Sequence, residues 1–199
     1  MKKILHIISS PRGVNSFSIQ LGNHIISKLQ GTDPDSTVRT FDLGLNPLPH
    51  LEEAHLTSFF TPPEQRTTGQ LEAVKHSDEA IALVMWADII VIGVPMFNFG
   101  ITSTLKAWLD HIARAGVTFA YSEKGAEGLI KNKKVYFAIA TGAVYSEGPW
   151  KAMDFTENYL RSITGFLGMT DVTVYRVEGT SVPGIKETAL GKALDAVQV

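Results

Sequence analysis

The stretch Asp88-Ile89-Ile90-Val91-Ile92-Gly93-Val94-Pro95 decides the fold. Its centre, Ile89 to Ile92, is continuously apolar, which is typical of a central parallel strand that is covered on both faces. The longest candidate for a membrane-spanning segment, Ala87–Val94, contains Asp88 and ends at Pro95, whereas a spanning helix needs about 18 or more apolar residues. We therefore predict a buried strand over Asp88–Val94.

Four further segments rich in aliphatic and β-branched residues are predicted strands: Lys3–Ile8, Thr37–Asp42, Lys134–Ala140 and Asp171–Val177. Between the strands, apolar residues recur at helical spacing over five stretches: Ser16–Leu29, about Pro63–Trp86, Ser103–Ala113, about Trp150–Leu167 and Glu187–Val197. Strands that alternate with helices indicate an α/β fold with a parallel sheet and helices on both faces. Five strands favour the flavodoxin-like three-layer fold, with strand order 2-1-3-4-5, over a six-stranded Rossmann sheet.

The length of 199 residues predicts a single domain over residues 1–199, because domains commonly have about 100–200 residues. The chain has no cysteine, which excludes disulfides, thiolate metal sites and catalytic thiols. A net charge of −2 gives no electrostatic reason to expect binding to nucleic acid or to an anionic membrane.

The apolar run Ile4–Ile8 is shorter than the roughly 7–15 residues of a secretory signal, so we expect a soluble cytoplasmic protein. Gly44–Pro63, with four prolines, is expected to be an irregular excursion.

Ligands of such sheets bind at the carboxyl ends of the strands, which directs attention to three loops, Ser9–Ser18, Pro95–Thr104 and Thr141–Pro149. The first loop carries hydroxyls at Ser10, Ser16 and Ser18 and leads into a helix N-terminus, an arrangement that suits a phosphate. Neither GxGxxG nor GxxxxGK[ST] is present, so a terminal monophosphate such as that of FMN fits better than a dinucleotide or triphosphate. The alternative at this point is that Ser16 or Asn15 is only a helix cap.

The second loop is Pro95-Met96-Phe97-Asn98-Phe99-Gly100. Its methionine and two phenylalanines are costly to leave in water, so we expect them to pack on a flat ligand or to fill the core. Asn98 both donates and accepts hydrogen bonds, as the edge of a heterocycle requires. In the third loop, Gly142 permits the backbone to approach a ligand closely. Core packing plus a turn remains the alternative for either loop alone. Three such loops at neighbouring strand ends are a stronger signal than one.

Several blocks carry a resemblance to a known family: Ser9-Ser10, Ser16-Phe17-Ser18, Pro95-Met96-Phe97-Asn98-Phe99, Leu105-Lys106, Asp110, Ala113-Arg114-Ala115-Gly116-Val117-Thr118-Phe119 and Glu127-Gly128-Leu129. They resemble the FMN-dependent NADH-azoreductases, also described as NADH:quinone oxidoreductases, over nearly the whole chain. The resemblance implies a flavodoxin-like homodimer with bound FMN near the subunit interface. It also implies NADH as electron donor and a quinone or azo compound as acceptor.

By position, the resemblance implies that Ser10, Ser16, Phe17 and Ser18 hold the FMN phosphate. Pro95, Met96, Phe97, Asn98 and Phe99 would contact the flavin ring and ribityl chain, and Ala140, Thr141, Gly142 and Ala143 would form the second flavin loop. That loop departs from the Ser-Arg-Gly-Gly common in the family, so a hydroxyl and a guanidinium of the pattern are missing. Tyr121 is expected to line the substrate mouth from one subunit.

The resemblance implies a ping-pong cycle in which a hydride passes from NADH to flavin N5 and two electrons then pass to the acceptor, so that no side chain acts as nucleophile. The alternative is a one-electron carrier of flavodoxin type, although such carriers are generally strongly acidic. A phospho-receiver is excluded, because it needs an aspartate where Val94-Pro95-Met96 stands. The histidines show no metal-ligand spacing, so no metal is predicted. His6 is expected to be a hydrogen-bonded core residue, and Asp110 and Arg114 an ion pair.

Overall fold

A computed structural model of the chain describes residues 1–123 and 125–199 and is built around a five-stranded parallel sheet. The strands along the chain are β1 (Lys3–Ile8), β2 (Thr37–Asp42), β3 (Ile89–Pro95), β4 (Phe119–Ser122), β5 (Gly125–Gly128), β6 (Lys134–Ala140) and β7 (Asp171–Val177). The large sheet has the order β2-β1-β3-β6-β7, and β4 and β5 form a separate antiparallel hairpin. Without the hairpin, this order is the predicted 2-1-3-4-5, so the flavodoxin-like fold is confirmed.

The part of the chain that the structure describes has six α-helices around the sheet: α1 (Phe17–Thr32), α2 (Glu53–Phe60), α3 (Thr68–Trp86), α4 (Ser103–Ile112), α5 (Phe155–Phe166) and α6 (Lys186–Asp195). β3 is buried along its whole length, and successive side chains enter different cores. Ile90 and Ile92 belong to a core shared with α3, α4 and α5. Ile89 and Val91 belong to a core shared with α1 and α6. The continuous apolar run was therefore correctly interpreted as a strand covered on both faces. Within the described ranges, no helix combines the length and hydropathy that crossing a membrane requires.

Two helices begin later than predicted, because a capping side chain sets each start. The hydroxyl of Thr67 accepts the backbone N–H of Gln70, so α3 begins at Thr68 and the prolines before it form a short 3-10 turn. The carboxylate of Asp154 accepts the N–H groups of Thr156 and Glu157, so α5 begins at Phe155 rather than near Trp150.

The expectation of an irregular excursion over Gly44–Pro63 was wrong in part, because α2 lies inside it. The N-terminus of α2 is closed by a capping box in which Glu52 and His55 bond to each other's backbone N–H groups. The β4–β5 hairpin was not predicted either. Its Gly128 packs against Gly168 so closely that a Cβ on Gly128 would lie 2.1 Å from the Gly168 nitrogen. Two glycines are required at this contact.

The predicted ion pair between Asp110 and Arg114 is wrong. Asp110 pairs with Lys106 one helical turn earlier, at 2.6 Å. Arg114 follows the end of α4, where its buried guanidinium pairs with Asp78 of α3 and lies over the ring of Phe59, 4.9 Å from its centroid. Because α4 ends at Ile112, Asp110 and Arg114 do not lie one turn apart on the same helix, as the prediction assumed.

His6 is a core residue, as predicted, but its Nε2 atom has no hydrogen-bond partner among residues 1–123 and 125–199. The ring faces α1 at Gly22, where an added Cβ would lie 2.9 Å from Nε2. Burial lowers the pKa of His6 from 6.5 to about 4, against a smaller opposing effect of Asp42. The imidazole is therefore held neutral in a space that only glycine leaves open.

Gly22→Ala is expected to destabilise the protein by about 1–3 kcal/mol, because the new methyl group must displace a buried ring. Gly31→Ala is the matched control in the same helix: a Cβ there meets nothing within 4 Å, and alanine should stabilise the helix by up to about 1 kcal/mol. Urea unfolding curves measure both changes. A Gly22→Ala protein as stable as the Gly31→Ala protein would contradict the packing argument.

Acid should destabilise the protein through His6. The unfolded chain binds a proton near pH 6.5, whereas the folded state resists protonation until about pH 4. The free energy of unfolding should therefore fall as the pH drops from 6.5 toward 4, with no contribution from His6 above this window. The glutamine of His6→Gln stays neutral at every pH in this range. Between about pH 7 and pH 5, the free energy of unfolding of this variant should therefore fall by roughly 2 kcal/mol less than that of the wild type. Urea titrations at both pH values measure this, with the exposed His50→Gln as control. Equal losses in the wild type and His6→Gln would contradict it.

Candidate active site

A cavity of about 150 Å3 opens at the carboxyl ends of β1, β3, β6 and β7. Most of the residues predicted to bind the cofactor line it: Ser10, Ser16, Phe17, Pro95, Met96, Phe97, Ala140, Thr141 and Gly142. These residues come from three loops that are far apart in sequence. The parallel sheet places the ends of their strands at one edge, as the prediction assumed.

The remaining predicted residues lie around this cavity rather than along it. Ser18 is fully buried behind Ser16, and Asn98 lines an adjoining cleft of about 790 Å3 that shares Phe97 with the first cavity. The ring of Phe99 packs against that of Tyr145, and the carbonyl of Ala143 accepts the Thr141 hydroxyl and the Gly179 N–H. Tyr121 lies on β4, is 74% exposed and lines neither space.

The loop after β1 forms a cradle of buried hydroxyls. Ser10, Ser16 and Ser18 are at most 3% exposed, and the Ser16 and Ser18 hydroxyl oxygens lie 3.0 Å apart. Ser16 is the N-cap of α1, yet its side chain accepts no backbone N–H of the first turn. The helix N-terminus is therefore left without the side-chain cap that the alternative interpretation required. Free N–H groups and hydroxyl donors together form a site for an anion.

The neighbouring Ser9 fixes this loop to the centre of the sheet. Its hydroxyl donates to the carbonyl of Gly93 at 2.7 Å. Gly93 has no side chain to separate β3 from α1, since a Cβ there would lie 3.3 Å from the Ser18 carbonyl oxygen. The start of α1 is thus held close to the end of β3.

The loop after β3 contains a tight two-residue turn at Asn98 and Phe99. The N–H of Phe97 donates to the carbonyl of Gly100, and the N–H of Gly100 donates to that of Phe97, at 2.9 and 3.0 Å. Both central residues have positive φ, 49° at Asn98 and 69° at Phe99, as a type I′ turn requires. Asparagine tolerates this backbone, whereas phenylalanine rarely adopts it. Strain of this kind is typical of functional loops.

The loop after β6 is joined to the loop after β7 by several hydrogen bonds. The hydroxyl of Thr141 donates to the Ala143 carbonyl at 2.7 Å, and its own carbonyl accepts the N–H and the hydroxyl of Thr180. The carbonyl of Gly142 accepts the N–H of Ser181. A Cβ on Gly142 would lie 3.2 Å from the Ser181 hydroxyl oxygen, so glycine keeps this part of the cavity open.

Three residues that line the cavity were missed by the sequence interpretation: Arg12, Thr180 and Ser181. Arg12 lies in the first loop, where the prediction of a phosphate site was based on the serine hydroxyls alone. Its positive charge in the same loop is the signal that could have identified it. Thr180 and Ser181 follow the predicted strand Asp171–Val177, whose carboxyl end lies at the same edge of the sheet. Applying the strand-end rule to this fourth loop would have found them.

The titratable groups with shifted pKa values lie outside the cavity. Burial lowers the pKa of His111, whose Nε2 bonds to the Pro49 carbonyl at 2.9 Å. The described part of the chain contains no group of three or more histidine, aspartate or glutamate side chains that could hold a metal ion. The cavity itself offers hydroxyls, backbone groups, one arginine and apolar surface, which is the chemistry of a binding site for a phosphorylated aromatic ligand.

The sequence matches the model of a family described as having a flavodoxin-like fold, over residues 2–199. Among curated relatives, an FMN-dependent NADH:quinone oxidoreductase from Herminiimonas arsenicoxydans is 50% identical over 92% of this chain and 89% of its own length. An enzyme of the same name from Mesorhizobium japonicum is 45% identical over 98% of this chain and 94% of its own length.

Solved structures show the same likeness. An azoreductase from Bacillus anthracis strain Sterne superimposes with a TM-score of 0.91 at 29% identity, covering 98% of this chain and 96% of its own. An FMN-dependent NADH-azoreductase from Bacillus anthracis strain Ames Ancestor, solved in complex with FMN, has a TM-score of 0.86 at 26% identity, covering 98% and 97%.

Proposed function

This chain belongs to the family of FMN-dependent NADH:quinone oxidoreductases with a flavodoxin-like fold, and we propose that it reduces quinones and azo compounds with NADH on a bound FMN. The observation that carries this proposal is the cradle of Ser10, Ser16 and Ser18 at an uncapped helix N-terminus, opposite the apolar wall of Met96 and Phe97. One part suits a monophosphate and the other suits a flat ring.

The residues present fit FMN. Ser10, Ser16, Ser18 and the first N–H groups of α1 would hold the phosphate, with Phe17 offering only its backbone, because its ring packs with the core of α1 and α6. Arg12 adds a positive charge at the same cavity. Pro95, Met96, Phe97, Asn98 and Phe99 on one side, and Ala140, Thr141, Gly142 and Ala143 on the other, would bind the ring and ribityl chain.

When bound, FMN would supply the redox chemistry, accepting a hydride from NADH at N5 and passing two electrons to the acceptor. The protein supplies position and exclusion of water. Backbone donors near Asn98 and Gly142 would stabilise negative charge on the reduced ring without rearrangement. The cleft of about 790 Å3 beside Phe97 and Asn98 would receive NADH and acceptor in turn, in a ping-pong cycle. A cytoplasmic location, where NADH is available, belongs to this proposal.

A homodimer is also part of the proposal. Beside the cleft, an open groove of about 500 Å3 is lined by Ile101, Phe155 and Tyr159, and Phe155 is 58% exposed. A second copy covering this groove would shield the cleft from water. Tyr121 would then line the substrate mouth from one subunit. Sedimentation equilibrium measures the association, and a Phe155→Ser variant should weaken it.

The purified protein, freed of flavin, should quench FMN fluorescence at one site per chain. The loaded protein should be bleached by NADH under anaerobic conditions and regain its colour on addition of a quinone. Steady-state rates at several NADH and quinone concentrations should give parallel double-reciprocal lines. Failure to take up FMN would overturn the function, and intersecting lines would overturn only the ping-pong order. A stable one-electron-reduced form, with negligible turnover of NADH, would favour the carrier of flavodoxin type.

The Asn98 side chain is expected to contact the flavin. Asn98→Gly is compatible with the positive φ of the turn and removes the side chain with its amide, so it should weaken FMN binding by about ten-fold, the loss expected for one or two hydrogen bonds. Asn98→Ala should show the same loss together with lower stability, because alanine lacks the short polar side chain that lets asparagine tolerate the left-handed backbone. Fluorescence titration and urea unfolding separate the two effects. Wild-type affinity in Asn98→Gly would remove the amide from the site.

A further inference from the structure

A partly buried ionic cluster surrounds Arg176 at the end of β7, outside the cavity. Its guanidinium donates to Asp154, to Glu157 at 2.6 Å and to Glu178 at 3.4 Å. Arg161 donates to the other oxygen of Glu157 at 2.7 Å. Burial alone would raise the pKa of Glu157, but the hydrogen bonds from Arg176 and Arg161 hold it below its usual range. The Glu157 carboxylate is therefore charged.

Glu178 links this cluster to the loop after β6. Its Oε1 atom accepts the backbone N–H of Tyr145 at 2.8 Å and that of Ser146 at 2.9 Å, in addition to the Arg176 guanidinium. The Glu178 side chain is only 13% exposed. One carboxylate oxygen therefore holds the backbone of the segment that continues directly from Ala143.

The same cluster reaches the loop after β3 by two routes. The ring of Tyr145 meets the ring of Phe99 edge to face, with centroids 6.4 Å apart. The carbonyl of Phe99 accepts the N–H of Phe155, the first residue of α5, whose N-cap Asp154 is bound by Arg176. Phe99, the strained residue of the type I′ turn, is thus held from the side of Tyr145 and from the side of α5.

We propose that Glu178, oriented by Arg176, is a positioning residue that sets the spacing between the two loops that would enclose the flavin ring. The inference rests on the proposed function, because it needs a flavin in the cavity. Glu178 lines neither the cavity nor the cleft, and its carboxylate accepts hydrogen bonds from Tyr145, Ser146 and Arg176, which are not predicted cofactor residues. Its effect passes through the backbone at Tyr145 and Ser146 and through the ring of Tyr145. A cluster that only stabilised the fold would alter unfolding and leave flavin affinity unchanged.

The test compares the affinities of the flavin-free protein for FMN and for riboflavin, which has the ring and ribityl chain but no phosphate. Glu178→Ala should weaken both by about ten-fold, because two N–H groups lose their acceptor and the loop can shift. Glu178→Gln should stay within about three-fold of the wild type, since its amide oxygen still accepts from both groups. Ser16→Ala is the comparison at the phosphate cradle and should weaken FMN alone.

Arg161→Ala is the matched control for stability. It removes an ion pair from the same cluster but does not contact the loop, so the urea midpoint should fall while both flavin affinities stay at the wild-type value. Glu178→Ala with wild-type affinity for both flavins and a lowered urea midpoint would overturn the inference. If Glu178→Ala does not fold, Glu178→Asp, which keeps the charge but shortens the reach, is measured by the same criterion. A wild-type protein that binds no FMN would overturn the proposed function itself.

Discussion

The burial of β3 on both faces is the constraint on which the rest of the structure depends. A strand in this position must satisfy its backbone through β1 and β6 and must offer apolar side chains to two cores at once. The helices are thereby divided between the two faces, and the chain must cross from strand to strand. Because the strands are parallel, the loops that follow them all leave the sheet at the edge formed by the carboxyl ends, where Pro95 lies. The Ser9 hydroxyl and the bare backbone of Gly93 then bring the loop after β1 and the first turn of α1 to that edge.

The strands were predictable because their physics is local. Apolar and β-branched residues are frequent enough in Lys134–Ala140 and Asp171–Val177 to predict a strand in each. The two strands of the structure have the same bounds. The β4–β5 hairpin was missed because Gly125–Gly128 has no such residues and is held by backbone contact with Gly168, which no local pattern reports. The predicted pairing of Arg114 with Asp110 failed for the same reason, since the actual partner, Asp78, lies on another helix.

The candidate site was predictable as far as the strand-end rule was applied. The three predicted loops converge on one cavity, and the loop with Thr180 and Ser181, which also follows the carboxyl end of a strand, completes its wall. This fourth loop bears on the departure at Ala140–Ala143, where the guanidinium common in the family is missing. Here the Thr141 hydroxyl is used within its own loop and the Thr180 hydroxyl donates to the Thr141 carbonyl, so the neighbouring loop adds the hydroxyl of Ser181 to the cavity wall. Neutral donors and Arg12 thus define a site whose polarity differs from that of the family pattern.

The turn at Asn98 and Phe99 has a consequence for the thermodynamics of ligand binding. Two reciprocal backbone hydrogen bonds, the edge of Tyr145 and the first turn of α5 already hold Phe99 in a backbone conformation that it would rarely adopt alone. The conformational entropy of this segment is therefore lost when the chain folds, and little remains to be lost when a ligand enters. A preorganised wall of this kind favours association with a small entropic penalty. The entropic cost of binding then falls mainly on the ligand. A rigid planar ligand should consequently bind with a smaller entropic penalty than a flexible ligand of similar width.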